Sequence, residues 1–319
     1  MSSQIPFLDA EAVARLRPRD AVQALIDALR GGLDTSAGAP RSRAPLTHGA
    51  FLMMPAEYGA DAGVKVLGLA PGNPERGLPS IQGLFLLFDA ETLTPRAVLD
   101  GAELTALRTP AVSLAGIRHH LLADDSPLDL LIFGGAIQAV RHATVTADVL
   151  DGHRPLGSVT FAVRSPQSAS LPEEVAGLPV RVVQAGTPDA DAAIRQAGLI
   201  HCATSAREPL FDSALVRDDA IVVAMGSHEP DAREVDEYLV ARSRVIVEDR
   251  DNAMREAGDV VLAVEAGVIA PEDFVTFADI AREGSHRVDR PVLFKSVGMA
   301  WEDVVVAGAV VAAQGRTWE

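Results

Sequence analysis

The sequence predicts an α/β protein built from two differently organised parts, and the spacing of its apolar runs carries that prediction. Between residues 49 and 99, short apolar runs are broken by Gly, Pro and Asn, as in an antiparallel or mixed sheet of an α+β domain. After Ala123, β-rich runs alternate with helix-like segments, which predicts a doubly wound parallel sheet. The 319 residues accommodate one large or two medium domains.

The individual elements follow in order. Residues 9–33 predict a helix, because Leu, Val and Ile recur at helical spacing, with Pro18 as an interruption. A loop follows over residues 35–45, and the runs AFLMM, GVKVLGLA, GLFLLFD and RAVLD predict strands. Further strands are predicted at LDLLIF, SVTFAV, VRVVQA, LIHCAT, AIVVAM and RVIVED. The last helix starts near Ala300 and is apolar almost all round, so we expect it to be buried.

Composition excludes several classes of function. The net charge of −16 argues against nucleic acid and anionic membranes as partners, because both attract basic proteins. The single cysteine, Cys202, cannot form an internal disulfide, which suits a reducing cytoplasm. Neither a signal peptide nor an apolar run of about 18 residues is visible. We therefore expect a cytoplasmic protein with a small-molecule ligand, and we predict no metal site.

A glycine turn predicts a dinucleotide site. The run LDLLIF leads into Gly134, Gly135, Ala136, Ile137 and Gln138, and then into a helix, as where pyrophosphate meets a helix N-terminus. Ala136 occupies the position of the second glycine in the dinucleotide-binding sequence pattern, and its methyl group leaves less room for a phosphate to approach the backbone. An ordinary strand-to-helix turn is the alternative interpretation.

The end of the second strand favours NADPH over NADH. An NAD site places an acid there to bind the ribose 2′-hydroxyl, whereas residues 161–165 contain none. Arg164 can pair with a 2′-phosphate, and Ser165 can donate to it. NADH stays possible, because a solvated surface arginine is the alternative.

Three cationic residues predict a carboxylate site. The chain has 26 arginines and only two lysines, Lys65 and Lys295, so a retained lysine suggests chemistry that arginine cannot perform. Lys65 lies within a predicted strand, pointing away from its apolar neighbours into solvent or a cleft. Arg108 precedes Thr109-Pro110, a cap-and-proline pair that predicts a helix start there. Together with Arg41 these residues suit a carboxylate, although each alone is more often a surface charge.

Seven irregular stretches along nearly the whole chain resemble the ornithine cyclodeaminase/mu-crystallin family. They are PRSRAPLTHGAFLMMPA, GVKVLGLAPGNPERGLPSIQG, AVLDGAELTALRTPAVS, LIFGGAIQAVRH, IHCATSAREPLF, AMGSHEPDAREVD and LFKSVGMAWED. The resemblance implies a Rossmann NADP-binding domain, residues 120–295, inserted into a substrate-binding and dimerisation domain, residues 1–119 completed by 296–319. It also implies a homodimer.

The resemblance implies roles for particular residues as well. Arg41, Lys65 and Arg108 match substrate-carboxylate and catalytic positions. Further cofactor contacts are implied at Thr109, Ala203, Thr204, Ser205, Met225, Gly226, Ser227, Lys295 and Gly298.

Three departures from the family favour its reducing branch. Ornithine cyclodeaminases carry an acid where this chain has Leu52 and an Asp where it has His228, and they keep NAD with an acid after the second strand. The resemblance therefore implies an NADPH-dependent reductase of a cyclic ketimine acid, such as Δ1-pyrroline-2-carboxylate or Δ1-piperideine-2-carboxylate. Lys65 would stabilise or relay the proton, and His228 would be a second relay or an ordinary histidine. A cyclodeaminase or amino acid dehydrogenase using NAD, and a non-catalytic crystallin-like protein that binds NADPH, stay open.

Overall fold

The computed structural model describes residues 5–283 and 289–315, and these fall into two compact units. The meander unit contains the described residues up to Ala111 and from Gly298 onward, and the parallel-sheet unit contains those from Val112 to Val297. The domain bounds expected from the sequence put the divisions at 119/120 and 295/296. The structure places them at 111/112 and 297/298, so that the first lies within a helix.

The secondary structure is numbered in chain order. The strands are β1 (Phe7–Leu8), β2 (Ser42–Leu46), β3 (Gly49–Tyr58), β4 (Asp61–Leu69), β5 (Ile81–Asp89), β6 (Pro95–Asp100), β7 (Leu128–Phe133), β8 (Leu156–Val163), β9 (Glu174–Val175), β10 (Leu178–Gln184), β11 (Leu199–Cys202), β12 (Ile221–Ala224), β13 (Arg244–Val247), β14 (Val275–Thr276) and β15 (Val292–Lys295). The α-helices are α1 (Ala10–Ala14), α2 (Pro18–Arg30), α3 (Gly101–Leu121), α4 (Ile137–Leu150), α5 (Pro188–Gln196), α6 (Glu237–Arg242), α7 (Arg250–Glu256), α8 (Gly258–Glu265), α9 (Phe277–Arg282) and α10 (Ala300–Ala313).

The meander unit is a six-stranded sheet packed against helices. Strands β2 to β6 pair antiparallel in sequence order, and β1 adds parallel to β6, which confirms the predicted mixed sheet. The loop predicted over residues 35–45 is wrong in its last part, because Ser42–Leu46 pairs with β3 as strand β2. One cross-strand row contains Met54, Lys65, Phe85 and Leu99, and all four side chains are buried. Because directly paired residues share a face, this row marks the face that is buried in the unit. Helix α10 packs against β3, β4, β5 and α2.

The helices of this unit match their sequence signals with one exception. Pro18 ends the first helical stretch and begins α2, and α10 begins at Ala300 with a largely buried apolar surface, both as predicted. The predicted helix start at Thr109 is wrong, because α3 already begins at Gly101 and has Pro110 in its interior. The Asp100 carboxylate accepts a hydrogen bond from the Glu103 N–H at 2.8 Å and so caps the helix earlier. Burial along the continuous helix outweighs the cost of an interior proline, about 3 kcal/mol.

The parallel-sheet unit confirms the doubly wound prediction. Its nine strands run in the order β14-β13-β15-β12-β11-β7-β8-β10-β9, and every neighbouring pair is parallel except β9 with β10. From β7 the chain winds outward through β8 to β10, and then returns to β11 on the other side of β7. In such sheets ligands bind beyond the carboxyl ends of the strands where this reversal occurs. We therefore expect a cofactor to bind at the residues that follow β7 and β11.

Candidate functional site

Lys65 lies on β4 in the interior of the meander unit, with only 1% of its surface exposed. Its Nζ is 2.8 Å from Oδ2 and 3.0 Å from Oδ1 of Asp303, which belongs to the first turn of α10. Lys65 does lie on the opposite sheet face from Val64 and Val66, as alternation predicts, but the expected position in solvent or a cleft is wrong, because the face of Lys65 is the buried one and its two neighbours are less buried. Its side chain contacts a buried carboxylate that the sequence had not identified as its partner.

Arg108 reaches the same carboxylate from α3. Its Nε is 3.1 Å from Oδ1 of Asp303, and its Nη1 is 2.8 Å from Oε2 of Glu302. Both acids are 0% exposed. The Asp303 carboxylate therefore joins the Lys65 ammonium to the Arg108 guanidinium, and Glu302 adds a second negative charge.

Gly298 brings Arg41 beside Arg108. The Nη2 of Arg41 donates to the Gly298 carbonyl oxygen at 2.9 Å. Gly298 has a φ of +80°, and a Cβ there would lie 2.8 Å from Nη1 of Arg108. A glycine is required at this position by both the left-handed backbone and the adjacent guanidinium. The structure thus places Gly298 against two predicted substrate residues.

The electrostatic surroundings change the protonation of Lys65. Burial, and then the positive charge of Arg108, lower the pKa of the Lys65 ammonium to about 8, although Asp303 and Glu302 oppose the shift. A lysine with this pKa can exchange a proton near neutral pH, which an arginine cannot.

Sequence reasoning missed Glu302 and Asp303, although a signal was present. Two acids stand at the start of a helix whose remaining residues are apolar almost all round. A carboxylate buried with such a helix requires a cationic or hydrogen-bonding partner. Arg108 and Lys65, which the sequence had already singled out, are the partners of these two acids.

The glycine turn after β7 fits a dinucleotide pyrophosphate. Gly134 has a φ of +122°, and a Cβ there would lie 2.5 Å from the Ala203 carbonyl oxygen, so the tight turn requires glycine. Gly135, Ala136 and Ile137 are exposed, and α4 begins without a side-chain cap. The first backbone N–H groups of α4 are therefore available to bind an anionic group, which the helix dipole would also stabilise.

Arg164 and Ser165 directly follow β8, and both are exposed. Residues 161–165 include no acid that would meet a ribose 2′-hydroxyl. This end of the strand fits a 2′-phosphate, to which a guanidinium binds through charge-assisted hydrogen bonds.

A buried polar network supports the loops after β11 and β12. The Glu234 carboxylate, 0% exposed, accepts hydrogen bonds from the Thr204 N–H and hydroxyl and from the Gly226 N–H. Lys295 is 1% exposed, and its Nζ is 2.7 Å from Asp259 Oδ2 and 2.7 Å from the Ser227 carbonyl oxygen. The side chain of Lys295 therefore belongs to the loop framework and does not reach the surface.

The remaining predicted residues are placed as follows. Ser227 and Ala203 are buried, Gln138, Thr204, Gly226 and Met225 are partly buried, and Ser205 and His228 are exposed. Thr109 is buried in α3. Within residues 5–283 and 289–315, no group of three or more His, Cys, Asp or Glu side chains is positioned to hold a metal ion. None of the helices that the structure describes is long and apolar enough to cross a membrane.

Comparison with known proteins matches the chain over nearly its full length. A model of the ornithine cyclodeaminase/mu-crystallin family matches residues 10–314. The Δ1-pyrroline-2-carboxylate/Δ1-piperideine-2-carboxylate reductase of Azospirillum brasilense is 32% identical, over 94% of this chain and 93% of that protein.

Two solved structures share the fold. The Δ1-pyrroline-2-carboxylate reductase of Thermococcus litoralis, in complex with NADH and L-proline, superposes with a TM-score of 0.83 at 25% identity over 97% of both chains. An archaeal alanine dehydrogenase dimer with bound NAD gives a TM-score of 0.80 at 26% identity, over 97% of this chain and 95% of that chain.

Proposed function

Because this chain belongs to the ornithine cyclodeaminase/mu-crystallin family, we propose that it is an NADPH-dependent reductase of a C=N bond next to a carboxylate. The proposed substrates are the cyclic ketimine acids Δ1-pyrroline-2-carboxylate and Δ1-piperideine-2-carboxylate, for which the relative from Azospirillum brasilense is named. The observation that carries the proposal is the buried Lys65, whose pKa of about 8 suits proton transfer, beside Arg108. The product would be the cyclic amino acid.

In the proposed mechanism, Arg41 and Arg108 bind the substrate carboxylate. Lys65 donates a proton to the imine nitrogen, and this makes the imine carbon electrophilic. The residues after β7 and β8, among them Gly134, Gly135 and Arg164, would hold NADPH, which when bound would supply the hydride for that carbon. The C=N bond thus becomes CH–NH by gaining one proton and one hydride. His228, exposed in the loop after β12, is proposed as a second proton relay.

The apolar residue Leu52, at a position where ornithine cyclodeaminases carry an acid, supports a ring substrate over a linear diamino acid. Leu52 lies two residues from Met54 on β3 and therefore on the same sheet face as Lys65. An apolar side chain at this position offers no partner for the distal ammonium of ornithine.

The preference for NADPH rests on Arg164, Ser165 and the missing acid after β8. The pyrophosphate would bind at the N-terminus of α4, where Gly134 and Gly135 leave room. The two related structures contain NADH and NAD, so the preference is a property proposed for this chain. We also propose a cytoplasmic location, in which the free, buried Cys202 stays reduced.

A second copy of the chain is proposed to cover the outer face of the meander sheet. Phe7, Phe51 and Leu84 are 59%, 45% and 43% exposed. Their register partners place them on the face opposite to Lys65. Apolar faces of this kind are usually covered by a partner, and a two-fold dimer is the commonest assembly. The related alanine dehydrogenase is a dimer.

The test is a panel assayed through nicotinamide absorbance. Each of the two ketimine acids, keto acids with amines, and ornithine is incubated with NADPH, NADH or NAD. Consumption of NADPH with a ketimine acid supports the proposal. Ammonia release from ornithine with NAD would establish a cyclodeaminase. Reduction of NAD with an amino acid would establish a dehydrogenase, and cofactor binding without turnover would indicate a crystallin-like protein.

Matched variants connect the activity to the residues. Arg41→Lys is compared with Arg43→Lys, because Arg43 is an exposed residue only two positions away. We expect Arg41→Lys to raise KM for the ketimine acid and Arg43→Lys to leave it unchanged, since lysine cannot bind a carboxylate bidentately. Equal effects of the two would remove Arg41 from the site.

A further inference from the structure

Asp303 is buried together with two cationic groups that the proposed reaction uses. Its carboxylate contacts Nζ of Lys65 through both oxygens and also Nε of Arg108. It is 0% exposed and lies on a helix that is otherwise almost entirely apolar. A charge in such a place is very costly unless it is paired, so the pairing determines where all three side chains lie.

The charged groups around Lys65 come from two helices. Arg108 of α3 contributes a positive charge, and Asp303 and Glu302 of α10 contribute negative charges. The neighbouring strands present apolar side chains to Lys65 in its own row, Met54 on β3 and Phe85 on β5. Of the two carboxylates, Asp303 bonds directly to Lys65, whereas Glu302 bonds to Arg108.

We infer that Asp303 is a positioning residue, which holds the Lys65 ammonium and the Arg108 guanidinium in one arrangement and supplies the negative charge that keeps Lys65 cationic. This inference rests on the proposed function, in which Lys65 gives a proton to the imine. It agrees with the direction of the electrostatic effects: burial and Arg108 lower the pKa of Lys65, and Asp303 raises it. Without that carboxylate the pKa of Lys65 would fall further, and a larger fraction of the amine would be neutral near pH 7.

The two lysines of the chain make a direct measurement possible. Labelling lysine with ¹³C at Cε yields signals from Lys65 and Lys295 only, and each can be titrated by NMR in the whole protein. Lys295 lies in the parallel-sheet unit and serves as an internal reference. The variants are Asp303→Asn, Asp303→Glu and the matched control Glu302→Gln. In parallel, kcat for Δ1-pyrroline-2-carboxylate with NADPH is measured against pH.

The expected results separate charge from shape. In Asp303→Asn the titration midpoint of Lys65 should fall by about one pH unit or more, a shift typical of losing a direct ion-pair partner. The basic limb of the kcat profile should move to lower pH by the same amount, with the Lys295 signal unchanged. Asp303→Glu keeps the charge and should restore both, and Glu302→Gln should move them by much less.

The outcomes distinguish the inference from the proposed function. An unchanged Lys65 midpoint in folded Asp303→Asn overturns the inference. A midpoint that falls without any shift of the kcat limb supports Asp303 as the positioning residue and removes the proton role of Lys65. If Asp303→Asn does not fold, Glu302→Gln decides. A Lys65 midpoint that stays in place supports Asp303 as the controlling charge, and one that falls by about one unit assigns the control to Glu302 and overturns the inference.

Discussion

Replacing Lys65 by arginine separates proton transfer from charge. The substitution keeps a positive group beside Asp303, but a guanidinium does not lose its proton in proteins. The pKa of the native ammonium is about 8. We therefore expect kcat for ketimine reduction to fall by ~10²-fold or more, the usual scale of general acid–base catalysis. At 1.36 kcal/mol per decade this is about 2.7 kcal/mol of lost transition-state stabilisation.

The packing around Lys65 adds a separate effect on stability. The side chain is 1% exposed and lies between Met54 and Phe85 in its row. A bulkier guanidinium in this row should cost about 1–3 kcal/mol of folding free energy, as overpacked interiors do. The affinity for NADPH should hardly change, because the proposed pyrophosphate and 2′-phosphate contacts belong to the other unit.

The assay is steady-state kinetics of Lys65→Arg, with Tm and NADPH binding measured on the same sample. The control is Lys65→Met, which removes the charge as well and should raise KM in addition to lowering kcat. A Lys65→Arg enzyme that is folded, binds NADPH and reduces the imine at close to the parental rate would refute the proton role. Lys65 would then be an anchor for the carboxylate.

Four further predictions follow from the same structure. Arg164→Ala should reduce the preference for NADPH over NADH by ~1–3 kcal/mol in binding titrations, the value of a charged hydrogen bond, and equal affinities in the parent would contradict it. Arg108→Lys should raise KM more than it lowers kcat. Light scattering should report about twice the chain mass of 33.5 kDa, and Leu84→Glu should shift the protein toward monomer. Above pH about 8, Lys65 has lost its proton in the folded protein but not in the unfolded chain. In this range kcat should fall with rising pH, whereas the contribution of Lys65 to the free energy of unfolding should rise. Lys65→Met should abolish that rise.

Features encoded by neighbouring residues could be predicted from the sequence. Pro18 marks the break between α1 and α2, Ala300 begins the last helix, and Gly134 makes the turn between β7 and α4. Each depends on backbone geometry or apolar periodicity within a few positions, which is local information. The alternation of strand and helix after residue 123 likewise determines the doubly wound sheet.

Where local and tertiary signals conflicted, the tertiary structure decided. Thr109-Pro110 has the composition of a helix start, but α3 continues through it from Gly101 to Leu121. The apolar residues on both sides of Pro110 are buried, and their packing outweighs the local preference. Arg108 is therefore held by ion pairs to α10 and not by a helix N-terminus.

The sequence by itself was enough to predict which residues would carry the proposed chemistry: the rare lysine at position 65, the arginines at positions 41 and 108, and the glycine turn. Only the tertiary structure decided how they are charged and arranged. Asp303 lies 238 positions from Lys65 and 195 from Arg108 along the chain, yet one carboxylate contacts both. Sequence periodicity carries no information over such distances. The three groups are brought together only by the packing of α10 against the sheet and α2. Their burial then makes the pairing obligatory, since an isolated charge in that interior would be too costly to keep.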